Sequence, residues 1–101
     1  DNIFKPRTQI NPHAHHPQAT TLPDGSTVLV WDETFKTEKA YINKIGLMHQ
    51  TADSNYVQYL TPDSLDCSYP VVNVSSVNTV IVTWTQKAGE TSKVCYKVVE
   101  I

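Results

Sequence analysis

Two hydrophobic stretches, Thr27-Val28-Leu29-Val30-Trp31 and Val80-Ile81-Val82-Thr83-Trp84, decide the fold class of this chain. Both are rich in β-branched residues and end in tryptophan, a composition typical of β-strands. The first follows the turn sequence Pro23-Asp24-Gly25, and the second follows the polar stretch Ser75-Ser76-Val77-Asn78. No stretch of about 11 residues keeps the 3.6-residue period of an amphipathic helix, so the sequence predicts an all-β fold.

These two stretches lie 53 residues apart, and other features of the chain recur at the same distance. Displacing the sequence by 53 residues places Trp31 on Trp84, and His16-Pro17 on Tyr69-Pro70. It also superimposes two further strand-like segments, 41–45 and 94–98. We therefore expect residues 1–101 to form a single all-β unit with two 53-residue-period repeats, 1–53 and 54–101.

A repeat of this length with four strands is typical of β-propeller blades. The first blade is expected to consist of four successive strands, at 17–22, 26–33, 39–48 and 55–60. The second is expected to contain three, at 71–75, 79–86 and 93–101, and residues 3–10 align with its missing fourth strand. The prediction is two four-stranded antiparallel propeller-blade-like sheets. The alternative is a single β-sandwich of about seven strands.

The motifs His16-Pro17-Gln18, Leu22-Pro23-Asp24-Gly25 and Val28-Leu29-Val30-Trp31-Asp32-Glu33 together resemble a blade of the sialidase-like (BNR-type) β-propeller superfamily. Ser68-Tyr69-Pro70-Val71-Val72, followed by Val80-Ile81-Val82-Thr83-Trp84-Thr85-Gln86, resembles the next blade. The aspartate box of that superfamily is not intact here, and a chain with one arginine cannot supply the arginine triad of sialidases. The resemblance therefore implies a non-catalytic recognition module, a piece of a propeller that binds a glycan or a protein.

The composition of the chain excludes several other function classes. The 101 residues carry a net charge of −2, and Arg7 is the single arginine, which does not suit binding to nucleic acid. The longest aliphatic run, Val80-Ile81-Val82, is too short to span a membrane. No catalytic set of side chains is assignable from spacing, so we do not expect this chain alone to be an enzyme.

The context of the chain is predicted from its first residue and from the resemblance. Because the chain begins at Asp1, we expect that it has lost a leader or is a piece of a longer protein. We expect an extracytoplasmic location, periplasmic or secreted. Two isolated blades would leave sheet faces and edges exposed, so the expected partners are the remainder of a longer propeller or identical subunits.

The candidate ligand-binding residues are Trp31, Asp32, Glu33 and Trp84. An indole ring stacks on the C–H groups of a sugar while carboxylates accept hydrogen bonds from its hydroxyl groups. The alternative is that both tryptophans pack between sheets. Asp32 and Glu33 are not expected to form an acid–base pair, because adjacent residues of a strand point to opposite faces.

The candidate metal ligands are His13, His15 and His16, within Asn11-Pro12-His13-Ala14-His15-His16. Three imidazoles this close could bind Zn²⁺, Cu²⁺ or Ni²⁺. This segment supports an alternative function, an independent extracytoplasmic β-sandwich domain with a His-rich metal-binding segment. The simpler interpretation is a solvated loop that leads into a strand.

Cys67 and Cys95 have neither the spacing of a metal motif nor the density of a disulfide scaffold. A single disulfide bond and two free thiols explain this pair equally well.

Overall fold

The computed structural model describes residues 13–101, which form seven β-strands. The strands are β1 (Ala14–Thr21), β2 (Thr27–Lys36), β3 (Tyr41–Gln50), β4 (Asn55–Tyr59), β5 (Asp66–Ser76), β6 (Thr79–Ala88) and β7 (Thr91–Glu100). This confirms the predicted all-β fold. Within the described residues, no helix is long and apolar enough to cross a membrane.

The strands form two antiparallel sheets in which each strand pairs with its neighbour in sequence. The first sheet has four strands in the order β1-β2-β3-β4, and the second has three in the order β5-β6-β7. The second sheet thus has one strand fewer than the first within residues 13–101. The segment predicted to supply its fourth strand, residues 3–10, lies outside the described residues.

The core lies between the two sheets. Side chains alternate between the faces of a strand, so every second residue of β2 and β6 points into this core. We call the face of each sheet that contributes to this core its inner face and the opposite face its outer face. The inner face of the first sheet carries Val28, Val30, Ile45 and Leu47, and that of the second carries Val72, Val80, Val82, Trp84 and Val99.

The pairing of β1 with β2 recurs in the pairing of β5 with β6. Gln18 pairs with Val30, and 53 residues later Val71 pairs with Thr83. The register is interrupted between His15 and Gln18, and again at the equivalent place between Ser68 and Val71. The two hairpins therefore share one register and one irregularity.

These irregularities are bulges that let each strand continue through a proline. His16 and Tyr69, the residues before Pro17 and Pro70, have φ angles of 54° and 57°. Proline has no N–H group to donate to a sheet, and a bulge leaves it outside the regular pairing. The sequence prediction began the first strand within the bulge, at 17, and the second strand after it, at 71, whereas β1 and β5 begin at Ala14 and Asp66.

The 53-residue offset does not extend to β7, and here the predicted alignment of 41–45 with 94–98 is wrong. Trp31 pairs with Gly46, whereas Trp84 pairs with Cys95, which follows Gly46 by 49 residues. The cause is the turn, because six residues separate Phe35 from its partner Ile42, whereas two separate Ala88, which follows Phe35 by 53 residues, from its partner Thr91. The shorter turn moves β7 by four residues relative to β3.

Cys67 and Cys95 are free thiols. They lie on β5 and β7, on either side of β6, where Cys67 pairs with Gln86 and Cys95 with Trp84. Two strand spacings amount to about 10 Å between their backbones, beyond the roughly 7 Å between Cα atoms that a disulfide bond can span. This fold therefore favours two thiols over a bridge.

Candidate functional site

The four predicted ligand-binding side chains are buried. The exposed fraction is 1% for Trp31, 2% for Asp32, 2% for Glu33 and 7% for Trp84. In this conformation none of them presents an open surface to a sugar ring. The alternative interpretation, in which both tryptophans pack between sheets, describes Trp84, which lies in the core between the two sheets. Trp31 is buried in a separate cluster with Leu29 and Met48 on the outer face of the first sheet.

Trp31 and Glu33 belong to a hydrogen-bonded group on the outer face of the first sheet. The indole Nε1 of Trp31 donates to Glu33 Oε1 at 2.9 Å, and the hydroxyl of Tyr59 donates to the same oxygen at 2.9 Å. The indole ring lies over Gly46, where an added Cβ would be 2.5 Å from two of its ring carbons. A glycine is thus required opposite Trp31.

Trp84 occupies the equivalent position in the second sheet with different partners. It points into the core between the sheets and lies opposite Cys95. The residue two positions further on is Gln86 rather than glutamate, and its Oε1 accepts from the Cys95 thiol. The indole Nε1 of Trp84 is buried and has no hydrogen-bond partner among residues 13–101.

Asp32 points to the inner face and joins the two bulges. Its Oδ2 accepts from His16 Nδ1 at 2.8 Å and from the backbone N–H of Tyr69 at 2.8 Å. The rings of His16 and Tyr69 lie 4.4 Å apart between centroids. One buried carboxylate therefore binds both His16 and Tyr69 and ties β5 to the first sheet.

The histidine segment lies along the start of β1. The backbone carbonyl of His13 accepts from the N–H of Thr34, and the Nδ1 atom of His16 is engaged by Asp32. The rings of His15 and His16 are 6.2 Å apart between centroids. Among residues 13–101, no group of three or more His, Cys, Asp or Glu side chains is placed to hold a metal ion. The predicted binding of Zn²⁺, Cu²⁺ or Ni²⁺ gains no support from this geometry.

Two further groups have pKa values moved by burial. Burial, followed by the hydrogen bond and the negative charge of Glu33, raises the pKa of Tyr59 to about 12. Burial also raises the pKa of the Cys67 thiol. Both shifts favour the neutral form, which describes structural rather than reactive groups.

The most exposed apolar surface in the second sheet is its outer face, which sequence reasoning missed. The exposed fraction is 44% for Val71, 79% for Val94, 70% for Tyr96 and 52% for Val98. Val94, Tyr96 and Val98 alternate along β7 and pair with Thr85, Thr83 and Ile81 of β6. This alternation was visible in the sequence, but nothing in it showed which face of β7 would be covered.

The middle of the equivalent face of the first sheet is covered by the second sheet. By the register of the strands, Val94, Tyr96 and Val98 correspond to Ile45, Leu47 and His49. Ile45 is fully buried and Leu47 is 1% exposed, both in the core between the sheets. The outer face of the second sheet therefore corresponds to the face by which the first sheet packs against the second, but its side chains are exposed.

A polar groove of about 260 Å³ lies at one end of this open surface. Its lining includes Thr85 and Ser92, which correspond by register to Asp32 and Asn43. In the first sheet those two residues hold the start of β5. Asp32 does so through the Tyr69 N–H, and the backbone N–H of Asn43 donates to Asp66 Oδ1 at 2.8 Å.

The resemblance to sialidase-like propellers rests on short motifs in two strand regions. No protein-family model, no curated protein and no solved structure matches the chain. Membership of that superfamily therefore stays a prediction from those motifs, and the geometry of the two sheets carries the functional conclusion.

Proposed function

We propose that this chain is a non-catalytic recognition module that binds a protein through the outer face of its second sheet. One observation carries the proposal: Val94, Tyr96 and Val98 are exposed, while Ile45 and Leu47 at the equivalent positions are buried beneath another sheet. The partner is expected to present an apolar β-sheet face, as the second sheet does to the first.

The apolar side chains of this face supply a moderate driving force. Full burial of a large apolar side chain contributes about 1.5–3 kcal/mol, and those of Val71, Val94, Tyr96 and Val98 are between 44% and 79% exposed. Their combined burial would contribute about 5 kcal/mol, near the lower end of the cost of association. Apolar contact alone therefore gives a weak complex, and polar contacts must add to it.

The polar groove beside this face offers such contacts. Thr85 and Ser92 replace Asp32 and Asn43 of the first sheet. Hydroxyl groups therefore stand where the Asp32 carboxylate accepts from the Tyr69 N–H and the Asn43 side-chain amide donates to Ser68 Oγ at 3.3 Å. Lys87 and Glu90 also line the groove and carry opposite charges. A partner strand that enters this groove would find hydrogen-bonding groups at the positions where β5 enters the first sheet.

A protein ligand is favoured over a glycan because the predicted stacking surfaces, Trp31 and Trp84, are buried. The proposed setting is an extracytoplasmic propeller of the sialidase-like type, in which another blade or an identical subunit covers the open face. The histidine segment and a bound metal remain the alternative, for which no favourable geometry was found among residues 13–101.

The test places a photoreactive amino acid at position 96 and, as a matched control, at position 41. Tyr96 and Tyr41 are 70% and 67% exposed, so the two positions are equally accessible to chance encounters. The protein cross-linked from an extract of the source organism is then purified and its affinity is measured directly. We expect Tyr96→Asp to weaken binding at least about tenfold, a loss of 1.4 kcal/mol or more, and Tyr41→Asp to leave it unchanged.

Two results would contradict the proposal. Equal cross-linking from positions 96 and 41 would show that the outer face has no specific partner. Binding on a glycan array that survives Tyr96→Asp and is unaffected by EDTA would assign recognition to another surface and to a sugar.

A further inference from the structure

The free edge of β7 is the second unusual feature of the smaller sheet. Among residues 13–101, β7 pairs with β6 and with no strand on its other side, whereas β3 at the equivalent place pairs with β4. β7 is ten residues long and extended throughout. Such an edge exposes a row of backbone N–H and C=O groups ready to pair with another strand.

A groove of about 530 Å³ lies where a fourth strand of the second sheet would pack. It is lined by Leu47, His49, Tyr56 and Gln58 of the first sheet and by Glu100 and Ile101 at the end of the chain. Tyr56 pairs with His49, and His49 pairs with Val28, so all three point to the inner face. Yet Tyr56 is 66% exposed, which shows that the second sheet is too narrow to cover this part of the first.

We propose that the β7 edge and this groove together bind an extended strand of another polypeptide, which completes the second sheet. The added strand forms backbone hydrogen bonds with Cys95 to Val99, the residues that correspond by register to the β4-paired part of β3. It continues an interface that the two sheets already share. This inference concerns the edge of the sheet and does not depend on the proposed use of its outer face.

The chemistry of the added strand follows from β4. In β4, Val57 and Tyr59 point to the outer face of the first sheet, and the residues at these positions in an added strand would point into the groove. The groove offers Leu47 and the ring of Tyr56 at this point. The ligand is therefore an extended segment with apolar or aromatic residues at alternate positions on the groove side. Backbone pairing supplies affinity and the alternate side chains supply selectivity.

The experiment uses a synthetic peptide with the sequence of β4 and its flanking residues, Ser54-Asn55-Tyr56-Val57-Gln58-Tyr59-Leu60. It is added to the full chain, and amide hydrogen exchange is followed residue by residue. At a peptide concentration about ten times the Kd, edge-facing amides within 95–99 are expected to exchange about tenfold more slowly. A Tyr56→Ser substitution in the protein is expected to weaken binding about fivefold, a loss of roughly 1 kcal/mol, while Tyr41→Ser leaves it unchanged.

Two N-methylated peptides provide the matched control. One is methylated at the residues corresponding to Asn55, Val57 and Tyr59, and the other at those corresponding to Tyr56 and Gln58. Alternate N–H groups of a strand face the same edge, so strand addition requires that one peptide lose binding and the other keep it.

Four results would overturn the inference. These are loss of binding with both methylated peptides, retention with both, protection of β3 instead of β7, and edge amides of β7 that are already protected in a free protein whose mass in solution is that of a monomer. The last result would mean that residues 1–12 already occupy the edge, and deletion of residues 1–12 would then remove the protection. None of these outcomes bears on the cross-linking from position 96.

Discussion

The two sheets of this protein share a plan and differ in what covers them. Their first two strands have the same register and the same bulge before proline, 53 residues apart. The first sheet carries the buried acids Asp32 and Glu33, and the second carries Thr85 and Gln86 at those positions. The acids occur where a neighbouring element supplies N–H or O–H donors, and neutral side chains occur where the surface is open or apolar.

The largest expected effect comes from removing the hydrogen bonds by which Asp32 holds His16 and the backbone of Tyr69. Asp32→Ala should lower the free energy of unfolding by about 3 kcal/mol, because it leaves the Tyr69 N–H without an acceptor and removes the His16 hydrogen bond. Thr85→Ala, at the equivalent position of the second sheet, should cost no more than about 0.5 kcal/mol. Equal losses in urea unfolding would show that Asp32 does not hold the sheets together.

A second comparison concerns the residues opposite the tryptophans. Gly46→Ala should destabilise the fold by about 2–3 kcal/mol, because the new Cβ would lie 2.5 Å from the Trp31 ring. Cys95→Ala, opposite Trp84, shortens a side chain instead and should cost less than about 1 kcal/mol. Urea unfolding of the two variants measures both losses in the free energy of unfolding. If Gly46→Ala leaves the free energy of unfolding unchanged, the indole ring can move away from the strand.

The two indole N–H groups provide a finer comparison. Trp31→Phe removes one of the two donors to buried Glu33, whereas Trp84→Phe removes an N–H that has no partner within the described part of the chain. Trp31→Phe should therefore be more destabilising by about 1–2 kcal/mol, although both changes remove similar apolar area. Thermal and urea unfolding of both variants measure the difference. Equal costs would imply that Glu33 finds another donor when Trp31 is lost.

The smallest expected effect is a change in titration. Glu33→Gln should lower the pKa of Tyr59 from about 12 towards 10 without reaching it, because burial is the larger cause of the shift. The folded state holds this proton more tightly than the unfolded state, so the free energy of unfolding should fall as pH rises from 10 to about 12. Ultraviolet titration of tyrosinate measures the pKa. A Tyr59 pKa that is unchanged by Glu33→Gln would contradict the hydrogen bond to that carboxylate.

Local patterns predicted much of the fold, and their failures have identifiable causes. The β-branched runs at Val28 and Val80 marked the central strands, since this composition favours extended backbone wherever it occurs. The bulges at His16 and Tyr69 were missed because a proline usually ends a strand and the compensation by Asp32 comes from a residue 16 or 37 positions away. The register of β7 was missed because it depends on the number of residues in the turn, which is four smaller between Ala88 and Thr91 than between the equivalent Phe35 and Ile42.

At the candidate site, too, local sequence patterns predicted some features correctly and missed others. The sequence singled out Trp31, Asp32 and Glu33 as candidate ligand-binding residues. In the structure the three side chains are buried and contact other parts of the protein. Sequence alone also determined the alternation of Val94, Tyr96 and Val98, because side-chain direction along a strand follows from backbone geometry. Which of the two faces of a strand is covered is a property of the whole assembly of sheets. Tertiary structure alone decided that Leu47 is buried and Tyr96 exposed, because burial depends on the elements that stack against a residue and not on the residue itself.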